Sequence, residues 1–90
     1  MNKTYEKKLL AMIALASKNG KVLRALLQEL LTPKEYIEVV TRFEILSRLQ
    51  TGEAQRLIAT SLGLGIATVT RGSHELTKGA KVFKKFNPAK

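Results

Sequence analysis

QRLIATSLGLGIATVTRGSHEL, residues 55–76, holds two helical patterns separated by Gly63-Leu64-Gly65. Counting from Gln55, the residues Ile58, Leu62, Leu64 and Val69 fall at inward positions. The small Ala59 lies where the two helices meet, and Gly63 stands at the sharp turn between them. Both small residues have a physical reason. A large side chain at Ala59 would pry the second helix away from the first, and Gly63 reaches a positive φ without a Cβ clash.

Two short helices joined by a tight turn form the unit with which many DNA-binding proteins place a second helix in the major groove. A helical hairpin with no such role shares the inward pattern, so the outward residues separate the two readings. A helix entering the groove must present groups that meet base edges or phosphates, not acids. Ile66, Ala67, Thr68, Thr70 and Arg71 qualify on the second helix. Gln55 and Arg56 open the first, where backbone N–H groups and side chains commonly engage phosphate. No acid stands between Glu53 and Glu75. A carboxylate facing phosphate inside the Debye length, about 8 Å at physiological salt, would repel it.

Working outward, apolar residues recur at spacings of three and four, and no period-two run suggests a strand. The fold class expected is all-α. A first helix over about 4–18 carries Leu9, Leu10, Met12, Ile13 and Ala16 on a wide apolar face, with Asn19-Gly20 as its left-handed stop. A second, over 21–30, turns Val22, Leu23, Leu26, Leu27, Leu30 and Leu31 inward. Thr32-Pro33-Lys34-Glu35 has the signature of a helix start, with Thr as N-cap, Pro in the first turn and Glu three residues after the cap. The third helix reaches about residue 50, and Tyr36, Ile37, Val39, Val40, Phe43, Ile45, Leu46 and Leu49 cover more than one stripe of it. A helix apolar on two faces sits in the middle of a bundle or in a dimer interface. Thr51-Gly52 ends it; the reader helices occupy 54–62 and 66–76, and after them comes a basic tail, 77–90, with at most a short helix closed by Pro88.

The chain has 90 residues, enough for one domain but short enough that dimerisation is one route to stability. Hydrophobic residues make up 44%, which excludes a disordered tail protein. There is no cysteine and one histidine, His74, which leaves no disulfide and no metal site and suits the cytoplasm. Lys18 interrupts the apolar run 9–16 well short of a membrane span, so neither a membrane nor a signal peptide is expected. No paired carboxylates or nucleophile with a base appear, so no enzyme is expected. The net charge is +9, of which +6 falls in residues 54–90. That suits a polyanion, through counterion release, or serves only solubility. An RNA-binding or protein-interaction module lacks support, because no aromatic stacking platform accompanies the bases.

The segments LLTPKE at 30–35, Thr41-Arg42 and GIATVTRGS at 65–73, in this order, closely resemble the trp repressor family over residues 19–76. The resemblance implies an intertwined all-helical homodimer with a helix-turn-helix reader, whose second helices enter successive major grooves of palindromic double-stranded operator DNA. Residues 1–50 would then be dimerisation helices. It implies L-tryptophan as corepressor, its indole between arginines matching Arg42 and Arg71, in a pocket that Leu31, Thr32, Ile45 and Gly72 also line. Guanidinium planes stack on an aromatic face and pair with a carboxylate. Glu75 departs from the family, which has a serine toward the ligand's ammonium; this leaves open a family member answering to a different ligand or to none. Glu29 replaces a leucine, Ala59 replaces a lysine expected at phosphate, and one residue is missing before Gln55, which removes a helix cap. The last helix is shortened, and Lys78, Lys81, Lys84 and Lys85 either replace phosphate contacts or are merely solvated.

Overall fold

The first three helices of this chain start at side chains that capture the unpaired N–H groups of a first turn. In the computed structural model, which describes residues 1–87, α1 spans Lys3–Ala16 and is capped by Asn2, whose side chain accepts from the Thr4 and Tyr5 amides. α2, Gly20–Leu30, is capped the same way by Asn19, which accepts from Lys21 and Val22. Asn19-Gly20 is therefore not a left-handed stop: Asn19 is extended, at φ −136°, and Gly20 already belongs to α2. With so short a link, the demand of the incoming helix for an N-cap outweighs the outgoing helix's need for a C-cap. α3, Pro33–Gln50, starts at the expected capping box. The Glu35 amide donates to Thr32 Oγ1 (3.1 Å), and the Thr32 amide donates to Glu35 Oε1 (2.8 Å).

α4, Gln55–Leu62, and α5, Ile66–Lys78, follow, the latter running two residues beyond its expected end. A short α6 covers Lys81–Phe86, and Pro88 lies outside the described residues. Among the described residues every element is helical. No helix there is long and apolar enough to cross a membrane.

The chain divides into two compact units, Met1–Ile37 and Glu38–Lys90, with the division inside α3. In the first unit α1 packs on α2, yet Ala16 is its one buried hydrophobic residue. Leu9, Leu10, Met12, Val22 and Leu30, expected to face inward, are exposed in the single chain. Periodicity identifies an apolar face without saying what covers it.

The second unit has a closed core. Ile58 and Val69 are fully buried, Ile45 and Ala59 nearly so, and Leu49, Leu62 and Leu64 pack against them. α6 joins this unit through an edge-to-face contact of Phe83 with Phe43, and through Gln50, which donates to the Lys84 carbonyl and accepts from the buried Asn87 amide.

Candidate nucleic-acid interface

The turn between α4 and α5 is closed by backbone geometry that only a few residue types adopt easily. Gly63 is left-handed at φ +67°, the Leu64 amide donates to the Ala59 carbonyl (2.8 Å), and the Gly63 amide donates to the Thr60 carbonyl (3.2 Å). This is the paired hydrogen-bond closure that favours glycine. It folds α5 back onto α4, so that Ile58, Ala59 and Val69 share one buried cluster. The buried position of Ala59 explains its size and removes it from any contact with phosphate.

The outward residues fall as the pattern requires. Ile66, Ala67, Thr68 and Arg71 are exposed on α5, and Arg56 is exposed on α4. Gln55 and Thr70 are half-buried and bonded to each other, the Thr70 hydroxyl donating to Gln55 Oε1 at 2.9 Å. Like the start of α6, those of α4 and α5 contrast with those of α1, α2 and α3. α4 begins after Ala54 and α5 after Gly65, neither with a side-chain cap, so their leading N–H groups are left for another acceptor. For α4 this is the consequence expected of the shortening before Gln55.

The pocket residues are distributed unevenly. Arg71 and Glu75 lie one turn apart on α5, both exposed, and Arg42 is exposed on α3. No ion pair joins any of them among the described residues. Ile45 and Gly72 are brought together, but as packing: a Cβ on Gly72 would come 2.9 Å from Ile45 Cγ2, so α5 lies on α3 at glycine distance. Leu31 and Thr32 belong to the first unit. Leu31 lines a hollow of about 310 Å³ with Gln28, Pro33, Tyr36 and Ile37, while the Thr32 hydroxyl accepts the Glu35 amide in the capping box.

Arg48 is a residue the sequence reading missed. Its Nε donates to Glu44 Oε2 (2.7 Å), and its Nη1 donates to Ser61 Oγ (2.8 Å) and lies 3.9 Å from Glu53 Oε1. It thus ties α3 to α4 and to the loop between them. The Glu44 hydrogen bond raises the Arg48 pKa further above its ordinary value; burial opposes this, and the Glu44 and Glu53 charges add to the rise. The i,i+4 spacing of Glu44 and Arg48 was the available signal.

The family profile described as Trp repressor protein matches residues 6–87 of this chain. The chain belongs to the Trp repressor family. Curated relatives named Trp operon repressor homolog agree with that placement. One from Vibrio parahaemolyticus is 47% identical over 60 residues, covering 66% of this chain and 58% of the relative. One from Vibrio campbellii is 52% identical over 52 residues, covering 57% and 52%. One from Aliivibrio fischeri is 44% identical over 68 residues, covering 74% and 62%. The chain thus spans between about half and three fifths of the length of these relatives. The family match takes in the α4–α5 unit, the capping box of α3 and both exposed arginines, Arg42 and Arg71.

Proposed function

We propose that this chain is a sequence-specific DNA-binding transcriptional repressor of the trp repressor type, an intertwined homodimer gated by L-tryptophan. One observation carries the DNA-binding part. The α4–α5 unit buries Ile58 and Val69 completely, leaves Ile66, Ala67, Thr68 and Arg71 exposed on the second helix, and has no acid from 54 to 74. In this reading α5 is the recognition helix, which meets base edges and phosphates with those residues. Gln55, Arg56 and the uncapped start of α4 hold the backbone. The protein acts on DNA by binding, and no enzymatic step is assigned to it.

The dimer is supported by the apolar residues that one chain leaves uncovered, among them Leu10, Leu15, Ile37, Val39 and Val40. A second copy covering these faces would set two recognition helices one turn of B-DNA apart, roughly 34 Å.

L-tryptophan fits the side chains on offer. Arg42 and Arg71 present guanidinium groups free of carboxylate partners among the described residues. Such groups stack on an indole and pair with an amino-acid carboxylate. Glu75 supplies a charge suited to the ammonium group. The same residue favours the second reading, a family member answering to another amine or to no ligand, because a carboxylate discriminates differently from a neutral hydroxyl.

The test uses the absence of tryptophan from the chain: added L-tryptophan, excited beyond tyrosine absorption, reports its own binding. A saturable emission change, together with tighter retention of duplexes drawn from a randomised pool, is the expected result. No emission change up to millimolar ligand, with duplexes still retained, would replace the corepressor by the second reading. No retention at all would end the DNA-binding reading.

A further inference from the structure

Gln55 opens α4 and Thr70 lies in the first half of α5, and the sequence reading has each of them meet DNA independently. The structure joins them instead by the 2.9 Å hydrogen bond from the Thr70 hydroxyl to Gln55 Oε1. A threonine hydroxyl has one proton. With that proton on Gln55, Thr70 keeps only lone pairs and has nothing to give a phosphate oxygen, which only accepts. The consequence for Gln55 is the converse. Its carbonyl oxygen is occupied, and its amide nitrogen keeps two N–H donors with no partner among the described residues. These donors stand at the end of α4 whose first-turn amides are also uncapped.

We propose that Thr70 is a positioning residue for DNA binding that acts through Gln55: it fixes the Gln55 amide so that only N–H donors remain for an acceptor on the nucleic acid. This rests on the reading of the chain as a DNA-binding protein. The acceptor is a phosphate oxygen or a base-edge atom such as guanine N7 or O6, and both demand the same donors. The half-buried setting of both side chains gives the pairing its value. A glutamine left free would have to give up rotamer freedom on binding, whereas one held by Thr70 has already lost it.

The test compares the full chain with T70S, T70V, Q55A and the double variant T70V/Q55A, in the presence of L-tryptophan. The probes are a duplex selected by the unmodified chain from a randomised pool and a scrambled duplex of the same composition. T70V, which keeps the side-chain shape and loses the hydroxyl, is expected to weaken binding about tenfold or more. Q55A should match it, T70S should stay within about twofold of the unmodified chain, and the double variant should be no weaker than either single one. Equal losses on both duplexes assign the acceptor to phosphate, and losses confined to the selected duplex assign it to a base edge. T70S and T70V with matching thermal unfolding midpoints keep folding out of the comparison. Losses that multiply in the double variant, T70V binding like the unmodified chain, or T70S as weak as T70V would each overturn the proposal alone. An unmodified chain that binds neither duplex overturns the DNA-binding reading and this proposal with it.

Discussion

In the unit Met1–Ile37, α1 and α2 carry a large share of the chain's leucines, and Leu10, Met12, Leu15 and Val22 are each more than half exposed. In the unit Glu38–Lys90, α4 and α5 seal Ile58 and Val69 completely, and Ile45 and Ala59 pack around them. The contrast is one of self-sufficiency. α4 and α5 are held by a core inside one chain, by the Gly63 turn and by Arg48. α1, with 14 residues, is of a length at which an isolated helix is marginal in water, and it buries only Ala16. In the dimer proposed above, the first unit would gain by association the cover that one chain does not give it, while the second, proposed to meet DNA, keeps its shape from a core of its own.

The largest expected effect tests the self-sufficient half. Ile58→Ala removes a side chain with no solvent exposure and leaves a cavity between α4 and α5. We expect a loss of about 3 kcal/mol in chemical denaturation, with the association state unchanged at concentrations where the variant is folded. A loss below about 1 kcal/mol would show that α4 and α5 do not depend on this core.

Leu15→Glu tests the other half, and its predicted size depends on what covers α1. Leu15 is 67% exposed in the single chain. On a lone chain the change would stay within about 0.5 kcal/mol. Under a second copy it forfeits the burial of a leucine and places a carboxylate against apolar surface, so we expect a loss of about 2 kcal/mol per chain. The loss should also make stability depend on protein concentration, with dissociation visible in sedimentation. An unperturbed dimer of unchanged stability would remove Leu15 from the interface, and a folded monomer of the unmodified chain would remove the intertwined arrangement altogether.

The same contrast explains what could be read from the sequence. Helix boundaries were legible because α3 begins at a capping box and α4 ends at Gly63, signals contained within a few residues. The core of the second unit was legible for a similar reason: Ile58, Ala59, Leu62, Leu64 and Val69 lie within one local hairpin. Asn19-Gly20 was misread because asparagine serves both as a helix stop and as an N-cap, and only the chain geometry selects between them. The exposure of Leu9, Leu10, Met12, Val22 and Leu30 in the single chain was not legible, since the apolar face and its cover are separate questions. Contacts between residues far apart in the chain were the least visible. Gln50 with Asn87, and Gln55 with Thr70, are separated by 37 and 15 residues, and no periodicity links them. For the site, the exposure of Arg71, Thr68 and Ala67 followed from helical phase, whereas the close approach of Gly72 to Ile45 did not.

Gly72 yields the smallest of these effects and the closest balance of terms. In the middle of α5, replacing glycine by alanine gains about 1 kcal/mol of helix propensity, and an open site would simply be stabilised. Here the added Cβ would come 2.9 Å from Ile45 Cγ2 and 3.5 Å from Leu49 Cδ1. Ile45 is 4% exposed and hemmed in by Ile58 and Val69, and its Cγ2 is anchored directly to Cβ, so it has little room to yield. Overpacking of this kind costs about 1–3 kcal/mol, which leaves Gly72→Ala destabilised by about 1 kcal/mol in thermal denaturation. A gain in stability would mean that α5 moves off α3 without cost. L-tryptophan fluorescence on the same variant then separates packing from ligand contact. If Gly72 also lines the pocket, affinity falls by more than the stability loss accounts for; if it serves only to bring α5 onto α3, the affinity of the folded variant is preserved.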